Sequence, residues 1–495
     1  MSITPNREAF LEKAKQGNLI PVYQEFLADT ETPVSAYLKI RDKSFSYLLE
    51  SADGGKKWGR YSFIGYKPYL TALSRHREME ISIGKEKRTL KDVEDPLQVL
   101  RDIIKDIKPV TIKELATFEG GLVGYVNYDL IRKWEYLPGI SPEDTVMPEI
   151  LFTASKRLIV FDHLTHQIKV IALAYLGEND DLKALYNLAC EEVNETIAEL
   201  QRPMSSISEE APFSLTDLES NFNSDDFNEA VRKAKEHIVA GDVIQVVLSQ
   251  RFSGDVAGDD FTLYRNLRSI NPSPYMFYLN FGEIRLIGSS PEILVRLTDG
   301  KIELRPIAGT RPRCKSLEED QAMEKELLAD PKERAEHIML VDLGRNDVGK
   351  VAMPGSVTVP RLMEVEHYSH VMHIVSRLEG LLKPQVDGFD LFKATFPAGT
   401  VTGAPKIRAM EIISELEPSP RGPYAGAVGY FGFNGNIDFC ITIRTISIVE
   451  NRLSIQVGAG IVYDSSPEKE YQETLKKAAA MFKAIERSKN DSDDR

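Results

Sequence analysis

The chain has 495 residues, 42% of them hydrophobic, with 61 Lys and Arg against 75 Asp and Glu for a formal net charge of −14. That is apolar material for a large core in roughly two to four domains, which excludes extensive disorder, and the acidic balance excludes capture of nucleic acid or anionic membrane by bulk charge. No run approaches the roughly 20 uncharged apolar residues that cross a bilayer. The first residues lack the basic-then-apolar layout of a signal peptide, and Cys190, Cys314 and Cys440 are too scattered for a metal-ligand set or a disulfide framework. A cytoplasmic protein is expected.

In chain order, the first 200 residues read as mostly strand, with segments at 45–50, 157–161 and 169–176 among Gly-rich turns, and a helix at 180–200. Residues 201–226 carry six Ser, two Pro and a cluster of acids without a sustained period, which reads as a linker. An amphipathic helix follows, with Phe227, Ala230, Val231, Ala234 and Ile238 on one face and Gly241 placed to stop it. Then come a strand at 243–252, a helix at 260–269, and strands at 275–281, 284–288 and 293–297. Asp299-Gly300 turns the last of these into 302–307. Helices are predicted at 318–329 and 332–342, a hairpin on Asn434-Gly435, a strand at 453–463, and a helix at 467–487 before a polar tail, 488–495. Hairpin-joined strands with helices in blocks argue an α+β fold in two domains, 1–200 and 227–487. No Gly-rich nucleotide motif follows any strand, which disfavours a nucleotide enzyme.

Two of these helices carry Glu pairs at i, i+3: Glu333 with Glu336, and Glu470 with Glu473. The spacing puts both carboxylates of a pair on one helical face. Two such faces opposed make an oxygen-rich site suited to Mg2+; in a chain with 75 acids each is also what a solvated face looks like. Three of the eight histidines, His367, His370 and His373, fall in HYSHVMHIVS. Each is either an acid/base group titrating near neutrality or a hydrogen-bonded residue of an apolar segment. In IDFCITIRT (437–445) alternation sends Asp438, Cys440, Thr442 and Arg444 to one face, so Arg444 projects from a polar face to bind a carboxylate or to be solvated. Gly458-Ala459-Gly460 is either open backbone for a ligand or a β-bulge. The loop PIAGTRPR (306–313) and FPAGTVTGAPKIRAM (396–410) have the same small-residue character, the second leading into a helix N-terminus that favours an anion. Together these features point to a small polycarboxylate substrate handled with Mg2+.

PIAGTRPR (306–313), LVDLGRNDVGKV (340–351), YSHVMHIVS (368–376), PAGTVTGAPKIRAMEII (397–413) and GAGIVYDS (458–465) resemble, in this order, the motifs of the chorismate-utilising enzymes. LLES (48–51), RYSFIG (60–65) and NPSPYMFY (271–278) are similar to the anthranilate-forming members of that family. The resemblance implies antiparallel sheets packed as a sandwich with flanking helices, and chorismate bound as its dianion. It implies Mg2+ held by Glu336 and Glu473 and, through water, by Glu333 and Glu470. It implies a substrate pocket of Gly309, Thr310, Thr400, Tyr424, Arg444, Gly458, Ala459 and Gly460, with Arg444 on a carboxylate. Glu292, in GSSPE (288–292), matches the general acid for the leaving 4-hydroxyl as ammonia adds at ring carbon 2. His373 matches the histidine that assists proton transfer, chiefly as pyruvate is eliminated. A Glu acting as an acid near neutral pH needs a raised pKa, so Glu292 is expected in a partly desolvated site.

Two positions separate the relatives. Members that add water carry a Lys where this chain has Gln245, and aminodeoxychorismate synthases carry a nucleophilic Lys where it has Ala308, so both positions point to ammonia addition and anthranilate. The rivals are the aminodeoxychorismate activity and a non-catalytic sensor of tryptophan or chorismate, whose mark would be loss of Glu292, His373 or a metal Glu. Glu50 and Ser51, with Pro274, Tyr275 and Met276, match the family's feedback site for tryptophan, although on spacing alone LLES reads as an edge strand. Tryptophan would bridge the two halves and favour an open, inactive arrangement. None of the three cysteines sits in the Gly-x-Cys-x-Gly turn of a class I glutaminase, so a separate glutaminase subunit is expected to supply ammonia, in a heterodimer or heterotetramer.

Overall fold

The computed structural model describes residues 2–493 apart from 42–44, 52–58, 113–114, 116–117, 119, 140–146, 178, 205–210, 315 and 369–370. His370 and the stretch 205–210 of the expected linker lie outside the described residues, as do the last two residues of the expected tail. The fold is α+β, and among the described residues 23 strands join one hydrogen-bonded network.

The expected strands of the first half are found in Ser46–Glu50, Ile150–Asp162 and Gln167–Tyr175, with the helix Leu182–Leu200 behind them. They share the sheet of the second half: Ser46–Glu50 pairs antiparallel with Tyr275–Phe281, and Gly121–Val126 with Ala427–Gly432. A core containing Tyr47, Leu158, Phe277, Leu286 and Cys440 is drawn largely from strands of both halves, the interior of a sandwich. Two further cores lie where helices cover the sheet, one with Tyr37, Val193, Leu263 and Met481, the other with Leu97, Leu130, Phe392 and Met410.

Local chemistry explains the elements that carry the site. Helix Ser224–Ala240 begins where the Asn223 side chain accepts the Asp226 N–H and ends at Gly241, whose φ of 83° is left-handed. Helix Pro331–Gly349 starts at Asp330, whose carboxylate accepts the amides of Lys332 and Glu333, so Glu333 and Glu336 occupy its opening turns.

Four expectations are corrected. Within 201–226, Ser214–Leu215 and Glu219–Ser220 pair with the strand Gln245–Ala257, and the helix begins at Ser224; Phe213 and Phe222 bury there, which a free linker would not do. The last helix runs Pro467–Asp493, past the expected stop at 487, with Ser488 buried against Asn266 at 2.9 Å and no Gly or Pro to end it. PIAGTRPR is largely a strand, Ile307–Pro312, because Val371–Leu381 pairs along it. The strand within IDFCITIRT stops at Ile441.

Candidate active site

Gly309, at φ +71°, interrupts the pairing of Ile307–Pro312 with Val371–Leu381, and Thr310 lands opposite His373. His373 Nδ1 lies 3.0 Å from the Gly309 carbonyl and 3.0 Å from the Thr310 hydroxyl. A carbonyl only accepts, so Nδ1 donates and the lone pair of the neutral ring sits on Nε2. Burial pushes this imidazole down from its ordinary value; the Gly309 carbonyl opposes that, Arg444 adds to it, and Glu366 opposes it.

Glu292 follows the strand Ile284–Ser290, and its carbonyl accepts the Ile441 N–H at 3.0 Å. It is 8% exposed. Burial pushes its carboxyl up to about 8, while the neighbouring Thr400 hydroxyl and the Lys477 charge pull down without reversing the effect. At neutral pH it therefore holds a proton, the state a general acid needs. With Gly399, Thr400, Leu343 and Ile441 it walls a cavity of about 50 Å³.

Tyr424 is buried, and burial pushes its hydroxyl up to about 12 against the Arg421 charge. A Cβ at Gly458 would stand 2.5 Å from that hydroxyl, and one at Gly460 would stand 2.6 Å from Gln245 Nε2. The strand Arg452–Ile461 stays in register with Gln245–Ala257 through both glycines, so this is bare backbone and not a bulge. Ala459 belongs to the core with Val246, Leu248 and Ile461, which leaves its backbone for the pocket. Arg444 is not on an alternating strand: it sits beyond Ile441 with a left-handed φ of 53°. Its Nη1 donates to the Lys477 carbonyl at 2.6 Å, and burial pushes the guanidinium down from its ordinary value against Tyr424 and Glu473.

The four glutamates fall into two settings. Glu333 pairs with Arg311 at 3.1 Å, its other oxygen facing Gly309, and Glu336 accepts from Gln245 Nε2 at 3.0 Å. Glu473 pairs with Lys477 at 3.5 Å. Burial pushes the Glu470 carboxyl up, the Ser465 hydrogen bond opposes it, and the Glu473 charge adds to the rise. Among the described residues no three His, Cys, Asp or Glu converge into a metal nest. The donors are nonetheless all oxygen, and two neighbouring carboxylates in a desolvated setting are what a hard cation relieves.

Sequence reasoning missed Lys477. Its Nζ donates to the Gly458 carbonyl at 3.1 Å, and its charge reaches Glu292, Glu470 and Glu473. The available signal was its place one helical turn after Glu473, on the same face.

A second cavity, of about 330 Å³, is walled by Glu50, Ser51, Pro274, Tyr275 and Met276 together. Arg296 and Asp438, which the motifs did not flag, line it as an ion pair at 2.8 Å, and Arg296 also reaches the Tyr275 hydroxyl at 3.0 Å. Ile293 and Arg305 wall this cavity and the Glu292 cavity alike.

The family model described as chorismate binding enzyme matches residues 44–483. The chain is 46% identical over 497 residues to "Anthranilate synthase component 1" of Aquifex aeolicus, covering 98% of each. It is 48% identical to the protein of that name from Synechocystis sp., over 98% of this chain and 99% of the other. Among solved structures, anthranilate synthase component I from Streptococcus pneumoniae superposes with a TM-score of 0.77 at 39% identity, over 92% of this chain and 98% of that one. The menaquinone-specific isochorismate synthase MenF from Escherichia coli shares the fold, with a TM-score of 0.71 at 19% identity over 97% of this chain and 99% of that one.

Proposed function

The chain belongs to the family of chorismate-binding enzymes, in its anthranilate-forming branch, and from that premise we propose that Glu292 and His373 are the acid and the proton carrier of its reaction. Chorismate and ammonia become anthranilate and pyruvate. The observation that carries the assignment of roles is Glu292, a buried carboxyl protonated at neutral pH beside Thr400. Gln245 and Ala308 stand where a lysine would activate water or attack the ring.

In the first stage ammonia bonds to ring carbon 2, the ring double bonds shift and the C–O bond at carbon 4 breaks, Glu292 giving its proton to the hydroxyl that leaves as water. The new ammonium then gives up a proton, which restores the Glu292 carboxyl. In the second, carbon 2 loses its proton, the C–O bond at carbon 3 breaks, and the enolpyruvyl group leaves and takes a proton at its methylene carbon to become pyruvate. Nε2 of His373, bare in the neutral ring, takes part as proton acceptor. Arg444, Tyr424, Gly309, Thr310 and the backbone of 458–460 bind the dianion, with Arg444 on a carboxylate. Glu336 and Glu473 would hold Mg2+, with Glu333 and Glu470 through water, and the ion would offset charge on the ring carboxylate as electron density moves toward it.

The second cavity is the receptor for tryptophan as a feedback inhibitor. Its walls come from both halves of the chain, so occupancy would favour an open arrangement, and it shares Ile293 and Arg305 with the Glu292 cavity. The relatives' names number this chain type as component 1 of a larger enzyme. The other component is read as a glutaminase supplying ammonia, in a heterotetramer, because the free thiols Cys190, Cys314 and Cys440 lack the nucleophile turn for that chemistry. Free thiols also suit the cytoplasm; among the described residues no helix is long and apolar enough to cross a membrane.

The test is product identity by mass after incubation with chorismate, an ammonium salt and Mg2+. Anthranilate that disappears with EDTA and returns with Mg2+ supports both the reaction and the metal. Aminodeoxychorismate in its place would move the chain to the other ammonia-adding branch.

A further inference from the structure

We infer that Glu366 is a positioning residue for His373, held in place by Arg305 and Tyr368. Glu366 ends the strand Thr358–His367 and lies directly opposite His373 on Val371–Leu381. Opposite residues of an antiparallel pair project from the same face with Cβ atoms about 4.5–5.5 Å apart. On the other side of His373 stands Thr310, so the imidazole is flanked across both strand pairings.

The carboxylate of Glu366 is fixed at both oxygens. Arg305 Nη2 donates to Oε1, and the Tyr368 hydroxyl donates to Oε2 at 3.0 Å. The Tyr368 ring also meets the His373 ring edge-on, with centroids 5.5 Å apart and planes at 67°. A Glu near a strand end would otherwise sample several rotamers; two donors and an aromatic wall hold this one beside the imidazole.

Among the described residues, the groups that face His373 from the surrounding elements are few. Ile307–Pro312 presents the Gly309 carbonyl and the Thr310 hydroxyl, Tyr368 presents its ring, and the segment after Ile441 presents the Arg444 charge. Glu366 is the anion among them, and its charge acts against Arg444 and the loss of hydration without outweighing them. Its effect is to leave Nε2 more basic than it would be without the carboxylate, in a half-buried site that also holds a guanidinium for the substrate.

The inference rests on the reading of His373 as the proton carrier. The experiment is an NMR titration of the His373 ring in the full chain, assigned by its loss in His373→Gln, together with the pH profile of anthranilate formation. Glu366→Gln should lower the His373 midpoint and reduce the rate about 10-fold. Tyr368→Phe should move both in the same direction by less, and Glu366→Asp, which keeps the charge, should restore most of the loss. An unchanged midpoint in Glu366→Gln and Tyr368→Phe, each folded by circular dichroism, would overturn the inference. A lowered midpoint with an unchanged rate would instead count against His373 as the proton carrier and leave Glu366 with an electrostatic hold alone.

Discussion

Glu50 and Met276 face each other across the pairing of Ser46–Glu50 with Tyr275–Phe281, so strands from the two halves of the chain build one wall of the larger cavity together. Glu50 is held by the Tyr264 hydroxyl at 2.5 Å and by Arg268 at 3.0 Å, and beside it the Ser51 hydroxyl is buried without a hydrogen-bond partner among the described residues. Ser51→Leu would place a branched apolar side chain in this space. The concentration of tryptophan needed to halve the rate should rise about 10-fold or more, a loss of at least ~1.4 kcal/mol in binding. Calorimetry and rate titration should agree on it; unaltered tryptophan binding would remove this cavity as the receptor.

The Glu292 carboxyl sits near 8 in the folded chain against 4.5 for an ordinary Glu. Its acid form is therefore lost as pH rises through about 8. At a fixed concentration of free ammonia, kcat/KM for chorismate should fall above that pH. Glu292→Gln should flatten the limb and cost about 100-fold or more in rate. Because the folded state binds the extra proton between 4.5 and 8, this group's contribution to stability declines as pH rises across that window. Glu292→Gln should therefore gain denaturant resistance relative to the parent at pH 8.

Gly458 tests the substrate pocket by shape alone. A methyl group there would meet the Tyr424 hydroxyl at 2.5 Å and the Leu248 carbonyl at 2.9 Å. Gly458→Ala should displace Tyr424, raise KM for chorismate about 10-fold or more and cost about 1–3 kcal/mol of stability by overpacking. An unchanged KM would take Tyr424 and this strand out of the pocket.

His337 offers a test of stability. It is fully buried, its Nε2 lies 2.6 Å from the Ser376 hydroxyl, and burial pushes it down to about 4 from 6.5. The unfolded chain takes up a proton below 6.5 that the folded chain refuses until about 4, so stability should fall as pH drops across that window. The loss from this one group reaches up to about 3 kcal/mol. Urea melts of the parent and His337→Gln at pH 7 and pH 4.5 would measure it: the variant should show a shallower decline.

Elements that carry their own punctuation were legible in the sequence. Gly241 ends a helix, and Asp299-Gly300 and Asn434-Gly435 turn hairpins where expected, whereas the Asn223 cap that starts that helix lies unread inside a stretch that looks like linker. The Glu pairs were legible as helix faces, but what holds them was not, since Arg311 reaches Glu333 from another strand and Gln245 reaches Glu336 from a third element. The alternation of 437–445 misled about Arg444 because residue type says nothing of where a partner strand ends; pairing stops at Ile441 and the chain turns through a left-handed Arg444. PIAGTRPR looked like a loop because its small residues suggest one, while the strand that orders it, Val371–Leu381, lies far along the chain. The roles proposed for Glu292 and His373 come from the order of motifs, and no spacing rule would have found them.

Anthranilate fluorescence, followed with this chain alone, chorismate and Mg2+, with either an ammonium salt or glutamine as the nitrogen source, tests the central claim most directly. The account predicts a growing signal with ammonium and none with glutamine, since it assigns the chain free ammonia as substrate and leaves glutamine to a separate subunit. No signal with ammonium, or an equal signal with glutamine, would contradict it.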